Sequence, residues 1–171
     1  MAIEIERKFK VRGDGWKAAA ERVQAMAQGY LNGLDAIEQG TQNASVRVRI
    51  EGGSAFLNLK SRQLGRTRHE FDYPVPVEDA RQLLELCVGG RVEKRRHYVR
   101  HAGHLWEVDE FLGDNAGLVV AEIELDSPDE GFARPDWLGE EVTDQPRYYN
   151  LALAARPYSR WSAAEREGCL S

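Results

Sequence analysis

Residues 3–9 read Ile3-Glu4-Ile5-Glu6-Arg7-Lys8-Phe9. In an extended strand, side chains alternate between faces, so Glu4, Glu6 and Lys8 share one side while Ile3, Ile5 and Phe9 take the other. One face is therefore charge alone. The same alternation recurs in Val46-Arg47-Val48-Arg49-Ile50, in Trp106-Glu107-Val108-Asp109-Glu110-Phe111 and in Val120-Ala121-Glu122-Ile123-Glu124-Leu125. Like charges this close repel one another. Paired carboxylates call for divalent cations, and the paired arginines call for a polyanion.

The chain has 171 residues, 42% of them hydrophobic and 30% charged, which suits one soluble domain spanning 1–171 with a core able to fold without staples. A formal net charge of −5 argues against a protein that coats nucleic acid, so any polyanion must be met locally and no nucleic-acid partner is expected. Cys87 and Cys169 stand in no metal-ligand spacing and read as free thiols in a reducing compartment. No apolar run approaches membrane-spanning length, and the start opens directly into a strand, so a cytoplasmic protein without a membrane partner is expected.

Beyond the first strand, Gly13-Asp14-Gly15 turns the chain and caps a helix running to about Met26, with Trp16, Ala19, Val23 and Met26 at helical spacing. Strands follow at 28–34, 44–50, 55–60 and 66–75, then a helix at 77–88 whose apolar stripe is Ala80, Leu83, Leu84 and Cys87. Two more strands, 91–100 and 104–111, pair through His101-Ala102-Gly103, and 118–126 completes a set of eight. From 136 to 166 the tail mixes Pro-punctuated loop with helical pattern. The spacing predicts a mainly antiparallel α+β fold, an open sheet or a barrel. If the charged faces point outward they are merely solvated; if inward, they line a polar lumen.

On strand parity the charged face gathers Glu4, Glu6, Glu70, Asp72, Glu107, Asp109, Glu122 and Glu124. The cations on it are Lys8, Arg47, Arg49, Lys60, Arg68, Lys94 and Arg96. Carboxylates without histidine or cysteine are hard oxygen ligands, suited to Mg2+ or Mn2+ and not to zinc. Arginine grips phosphate oxygens in bidentate geometry, and lysine adds a compact point charge. On opposite walls of one cavity these groups fit a metal-complexed phosphate chain. Any single pair is most simply a solvated sheet face. Taken together they are not, because an exposed face mixes in Thr, Ser and Gln, and the few helices here cannot cover the opposite one. The basic run Arg91–Arg100 divides its charge between two faces, which weakens it as a nucleic-acid patch. His69, His97, His101 and His104 form no ligand spacing, and Trp106 and Trp137 read as core or plug residues.

These residues, in this order, resemble the CYTH family of triphosphate tunnel metalloenzymes. The N-terminal Glu-x-Glu-x-Lys signature stands as Glu4-Ile5-Glu6-Arg7-Lys8, followed by Arg47/Arg49, the Leu57–Ser61 strand, Arg68/Glu70/Asp72, Lys94/Arg96, Glu107/Asp109 and Glu122/Glu124. The tail Trp137-Leu-Gly-Glu-Glu-Val-Thr, then Arg147-Tyr148 and Asn150-Leu-Ala, is similar to the family's C-terminal segment. Asn58 replaces a frequent threonine, and Asp72 a more usual glutamate.

The resemblance implies an eight-stranded closed tunnel, charged inside and flanked by peripheral helices. It assigns Glu4, Glu6, Glu122 and Glu124 to a metal, with Glu107 and Asp109 near a second metal or the attacking water, Asp109 being a further candidate ligand. Lys8, Arg47, Arg49, Lys60, Arg68, Lys94 and Arg96 become phosphate clamps, with Lys8, Lys94, Glu107 and Asp109 the candidate catalytic groups. The activity implied is hydrolysis of inorganic triphosphate to pyrophosphate and phosphate with Mg2+ or Mn2+, nucleoside or thiamine triphosphates being further substrates, by a monomer or homodimer. Two alternatives stand beside it: cyclisation of ATP, as in class IV adenylate cyclases, and a module that binds polyphosphate or nucleotide without turnover.

Overall fold

The computed structural model describes residues 2–62 and 66–168. Nine strands run in chain order: β1 (Ala2–Val11), β2 (Ala20–Tyr30), β3 (Ala44–Glu51), β4 (Ser54–Ser61), β5 (Thr67–Val75), β6 (Val88–His101), β7 (His104–Phe111), β8 (Val119–Glu124) and β9 (Leu138–Glu141). Five short helices accompany them: α1 (Gly15–Ala19), α2 (Leu34–Glu38), α3 (Val77–Glu85), α4 (Asn150–Ala155) and α5 (Ala163–Glu167). Neighbours in the sheet follow the order β5-β4-β3-β2-β6-β7-β8-β1, every ladder is antiparallel, and β1 pairs again with β5. Eight strands thus close into a barrel, with β9 added on the rim of β1.

Closure settles where the charge points. Across an antiparallel ladder, facing residues share a side. The pairs Glu4↔Arg68, Lys8↔Glu122, Glu6↔Glu124, Glu107↔Glu122, Arg96↔Asp109 and Lys60↔Glu70 therefore place all these groups on one continuous inner wall. The apolar residues of the same strands face outward, and the core lies outside the barrel. Phe9, Trp106, Val108 and Ile123 pack there with Trp16 and Leu138, and Phe132 and Trp137 lie over them. The Trp106 and Trp137 rings meet edge to face at 5.7 Å, a core contact. On another outer wall α3 sets Ala80 and Leu84 against Val48 and Ala55. Burying one such leucine contributes about 1.5–3 kcal/mol.

Further along the same inner faces the chemistry changes. Tyr30, Val92, Phe111 and Val120 keep the inward parity, but they meet Val142, Tyr148, Leu153 and Trp161 of the tail. One end of the lumen is thereby filled with apolar side chains, and α4 seals it.

Three local expectations change. The helix expected to run to Met26 ends at Ala19, and residues 20–30 form β2 instead of a strand at 28–34. From Ala20 to Tyr30 the segment pairs with β6 and from Met26 to Tyr30 with β3, so a helix there would leave the ring open. Val23, assigned to the buried helical stripe, is 50% exposed. The tail contains β9, which no alternation announced, and Leu34 begins α2 where a strand end was expected. The turn His101–His104 forms as expected, with Ala102 (φ 47°) and Gly103 (φ 85°) both left-handed, the geometry whose twist matches a two-residue hairpin. Cys87 is a free thiol, and Cys169 lies outside the described residues. Among the described residues no helix is long and apolar enough to cross a membrane.

Candidate active site

The charged lumen is a cavity of about 590 Å3, within the range of small-molecule sites. Of the carboxylates singled out in the sequence, Glu4, Glu6, Glu70, Asp72, Glu107, Glu122 and Glu124 line it. Lys8, Arg47, Arg49, Lys60 and Arg96 are the expected cations on its wall. Arg68 instead lines an adjoining cavity of about 510 Å3, bordered by α2 and by Tyr149 and Leu151 of the tail. Glu6, Lys8, Arg47, Lys60 and Asn150 line both. Lys94 and Asp109 line neither; at 1% and 0% exposure they sit in the wall.

Most of the buried charges face an opposite one. Lys8 Nζ lies 2.5 Å from Glu122 and 3.3 Å from Glu6. Lys60 Nζ donates to Glu4 Oε1 at 2.9 Å, and Arg68 stands 3.7 Å from Glu4 and 3.6 Å from Glu6. Arg96 grips Asp109 with two nitrogens, at 2.7 and 2.8 Å, and reaches Glu107 at 2.5 Å. Lys94 adds a 2.7 Å bond to Asp109 and donates to Asn150 Oδ1 at 3.2 Å. Asp109 is thus saturated by two cations, which makes it a support for Arg96.

The titration directions follow. Burial, then the neighbouring charges of Glu6 and Glu70, push the Glu4 carboxyl up to about 8 against the relief from Lys60. Burial also opposes ionisation of Glu6, yet Lys8, Lys60 and Arg68 outweigh it and hold Glu6 well below the usual carboxylate range. Glu124 is raised by burial and by the surrounding glutamates Glu107, Glu6, Glu70 and Glu122. Burial and the nearby Arg96 bring Lys94 down to about 8 despite Asp109.

Among the described residues, one set of carboxylates converges as a cation would require: single oxygens of Glu4, Glu70 and Glu124 lie within 4.8 Å of one another. The barrel brings Glu4 and Glu124 of the charged face together. Glu70 joins them although parity only placed it on the charged face; Asn58 donates to it at 2.7 Å and to Asp72 at 3.3 Å. Glu6, Glu122 and Asp109 are engaged by lysine and arginine. Glu4 Oε2 is buried and accepts no hydrogen bond, an atom left for a cation. The Nε atoms of Arg47, Arg49 and Arg68 are buried and donate to nothing, as donors awaiting an anion do. Asn150, on the wall of both cavities, enters the sequence reading only in the tail resemblance and not as a site residue, because no alternation frames it. The basic run Arg91–Arg100 is divided by the wall: Lys94 and Arg96 turn inward, while Arg91 pairs with Glu85 at 2.5 Å and Arg95 with Glu110 at 3.9 Å outside. No histidine takes part in the carboxylate cluster; His104 pairs with Glu130 at 2.6 Å.

The CYTH domain model matches residues 2–158 of this chain. The chain belongs to the CYTH domain family. Across the family it is 43% identical over 162 residues to the inorganic triphosphatase of Acetivibrio thermocellus, covering 94% of this chain and 99% of that one. It is 37% identical over 156 residues to the inorganic triphosphatase of Nitrosomonas europaea, covering 88% and 96%. Among solved CYTH folds, the crystal structure of the inorganic triphosphatase NE1496 superposes with a TM-score of 0.62 at 36% identity, covering 90% of this chain and 95% of that chain.

Proposed function

We propose that this CYTH protein hydrolyses inorganic triphosphate to pyrophosphate and phosphate with a divalent cation, Mg2+ or Mn2+, the whole chain acting as one catalytic domain in the cytoplasm. The observation that carries the reading is the placement of two buried guanidinium Nε donors without acceptors, those of Arg47 and Arg49, in one cavity with an oxygen-only carboxylate cluster. Similarity to proteins named inorganic triphosphatase, nearly end to end, supports it.

Glu4, Glu70 and Glu124 would hold the cation, since three carboxylate oxygens without nitrogen or sulfur suit a hard ion. Bound there, it would neutralise phosphate charge and, as a Lewis acid toward phosphoryl oxygen, make the phosphorus more electrophilic. The remaining work falls to the chain. Arg47 and Arg49 orient the phosphate chain, their fixed forks matching its oxygens. Lys8, Lys60 and Arg96 spread positive charge along it, where it stabilises the charge developing in phosphoryl transfer. Asp109 and Lys94 hold Arg96 in place and need not touch substrate. Glu107, on the cavity wall and raised by burial though Arg96 opposes this, stands among the groups able to accept a proton from an attacking water.

Phosphate release from triphosphate, ATP and thiamine triphosphate, with and without Mg2+ or Mn2+, and chromatographic identification of the ATP products test the reading. Metal-dependent pyrophosphate and phosphate from triphosphate are expected. Cyclic AMP as the dominant ATP product at a comparable rate would replace hydrolysis with cyclisation, and metal-triphosphate binding without turnover would leave only a binding module.

A further inference from the structure

The segment Glu140-Glu141-Val142-Thr143 has no place in the chemistry above, yet it touches the barrel at its seam. Strand β1 shares one edge between two partners. Along that edge Glu6 N–H donates to Arg66 O at 2.9 Å, the last backbone bond toward β5, and Val142 N–H donates to Lys8 O at 2.8 Å on the β9 side. Between them the Lys8 N–H has no strand opposite it. It donates instead to the hydroxyl of Thr143, at 3.0 Å, in a buried contact.

That hydroxyl is itself fixed. Thr143 Oγ1 donates to Glu141 Oε2 at 2.6 Å, and Glu141 is gripped from the outer face of β1 by two nitrogens of Arg7. The backbone carbonyl of Thr143 accepts from the Tyr149 hydroxyl at 2.6 Å. Thr143 is 4% exposed. The residue it supports is Lys8, whose ammonium stands between Glu122 and Glu6 in the lumen and has almost no freedom to drift without losing one of them.

We propose that Thr143 is a positioning residue for Lys8: its hydroxyl takes the place of the missing strand at the seam and sets the backbone from which the Lys8 ammonium reaches the phosphate chain. The proposal rests on the phosphate-binding role given to Lys8 above. A valine at 143 has the same shape but leaves the Lys8 N–H buried without an acceptor, so β1 must shift or admit water at that residue.

A double-mutant cycle separates positioning from mere stability. The affinity of imidotriphosphate, a non-hydrolysable analogue, with Mg2+ is measured calorimetrically for the wild type, T143V, K8M and T143V/K8M, alongside amide hydrogen exchange at Lys8. T143V should weaken the analogue about tenfold in the native background but less than about twofold beside K8M, speed exchange of the Lys8 amide, and be rescued by T143S to within about twofold. If T143V does not fold, E141Q carries the test, because it loosens the anchor while retaining the hydroxyl; a loss of about threefold that disappears beside K8M is expected. Unchanged affinity in a folded T143V or E141Q, or losses that multiply with K8M, would overturn the proposal. Failure of the wild type to bind the analogue at all would instead overturn the triphosphatase reading.

Discussion

Lys60 Nζ lies 2.9 Å from Glu4 Oε1, so an ammonium of the chain occupies the carboxylate that a divalent cation would use. Binding one cation would then release the other: with Glu4 turned to metal, the Lys60 charge would be free to meet phosphate. Metal and triphosphate should strengthen each other's binding through this exchange, by equal factors.

Replacing Lys60 by methionine should therefore act in opposite directions on the two ligands. Without substrate and above about pH 8, where Glu4 is ionised against Lys60, Mn2+ affinity rises on the order of tenfold, the equivalent of one charge-assisted bond of ~1.5–3 kcal/mol less the cost of an unpaired Glu4, while triphosphate binding weakens. Titration of free Mn2+ by electron paramagnetic resonance, with and without the imido analogue, checks both signs. Weaker Mn2+ binding in Lys60→Met would contradict the exchange.

The pH dependence of metal binding follows from Glu4. Burial and its acidic neighbours raise its carboxyl to about 8, so metal-free protein holds a proton there at neutral pH. Cation binding must expel it, and apparent Mg2+ affinity should climb with pH and level off above about 8. For the metal-free fold the sign is the reverse of the usual acid case. The native state binds more protons than the unfolded chain between the ordinary carboxyl value of 4.5 and about 8, so this group's contribution to stability falls as pH rises through that window. Calorimetric titration of Mg2+ in two buffers of different ionisation enthalpy would show close to one proton released at pH 7.

Asp109→Asn should cost stability as well as activity. It leaves Arg96 and Lys94, two buried cations, without the carboxylate that holds them at 2.7–2.8 Å. Breaking a buried ion pair from one side costs about 3–5 kcal/mol. Urea unfolding should show that loss, and equal stability would mean that water or Glu107 replaces Asp109.

Arg49→Ala should weaken inorganic triphosphate and ATP by similar factors. Its Nε is buried without an acceptor, and burial together with Arg47 and Arg96 lowers its pKa, a state that a phosphate oxygen relieves. Competition binding of both ligands measures the two factors, and a loss confined to ATP would place the guanidinium at the base or sugar.

Much of this site is legible because the period of a strand is local. Glu4, Glu6 and Lys8 share a face whatever β1 pairs with, and the same holds for Arg47/Arg49, Glu107/Asp109 and Glu122/Glu124. Residues 20–26 misread as helix for the complementary reason. Trp16, Ala19, Val23 and Met26 do recur at helical spacing, but that spacing carries no information about the unfilled edge of β6, and tertiary pairing overrode it.

The sequence by itself determined that the charged residues would lie on common strand faces, which side each would take and what chemistry they could perform, because alternation along a strand depends only on neighbours in the chain. Only the tertiary structure decided that those faces turn inward, that Glu70 meets Glu4 and Glu124, that Arg68 opens to the adjoining cavity, and that Asp109 and Lys94 serve as wall and not surface. Those facts depend on which strands close the ring and at what stagger, through pairings such as Glu4↔Arg68 and Glu6↔Glu124 between residues far apart in sequence. Parity sorts side chains into two faces, while which face turns inward, and the depth along the barrel axis, come from closure and its register.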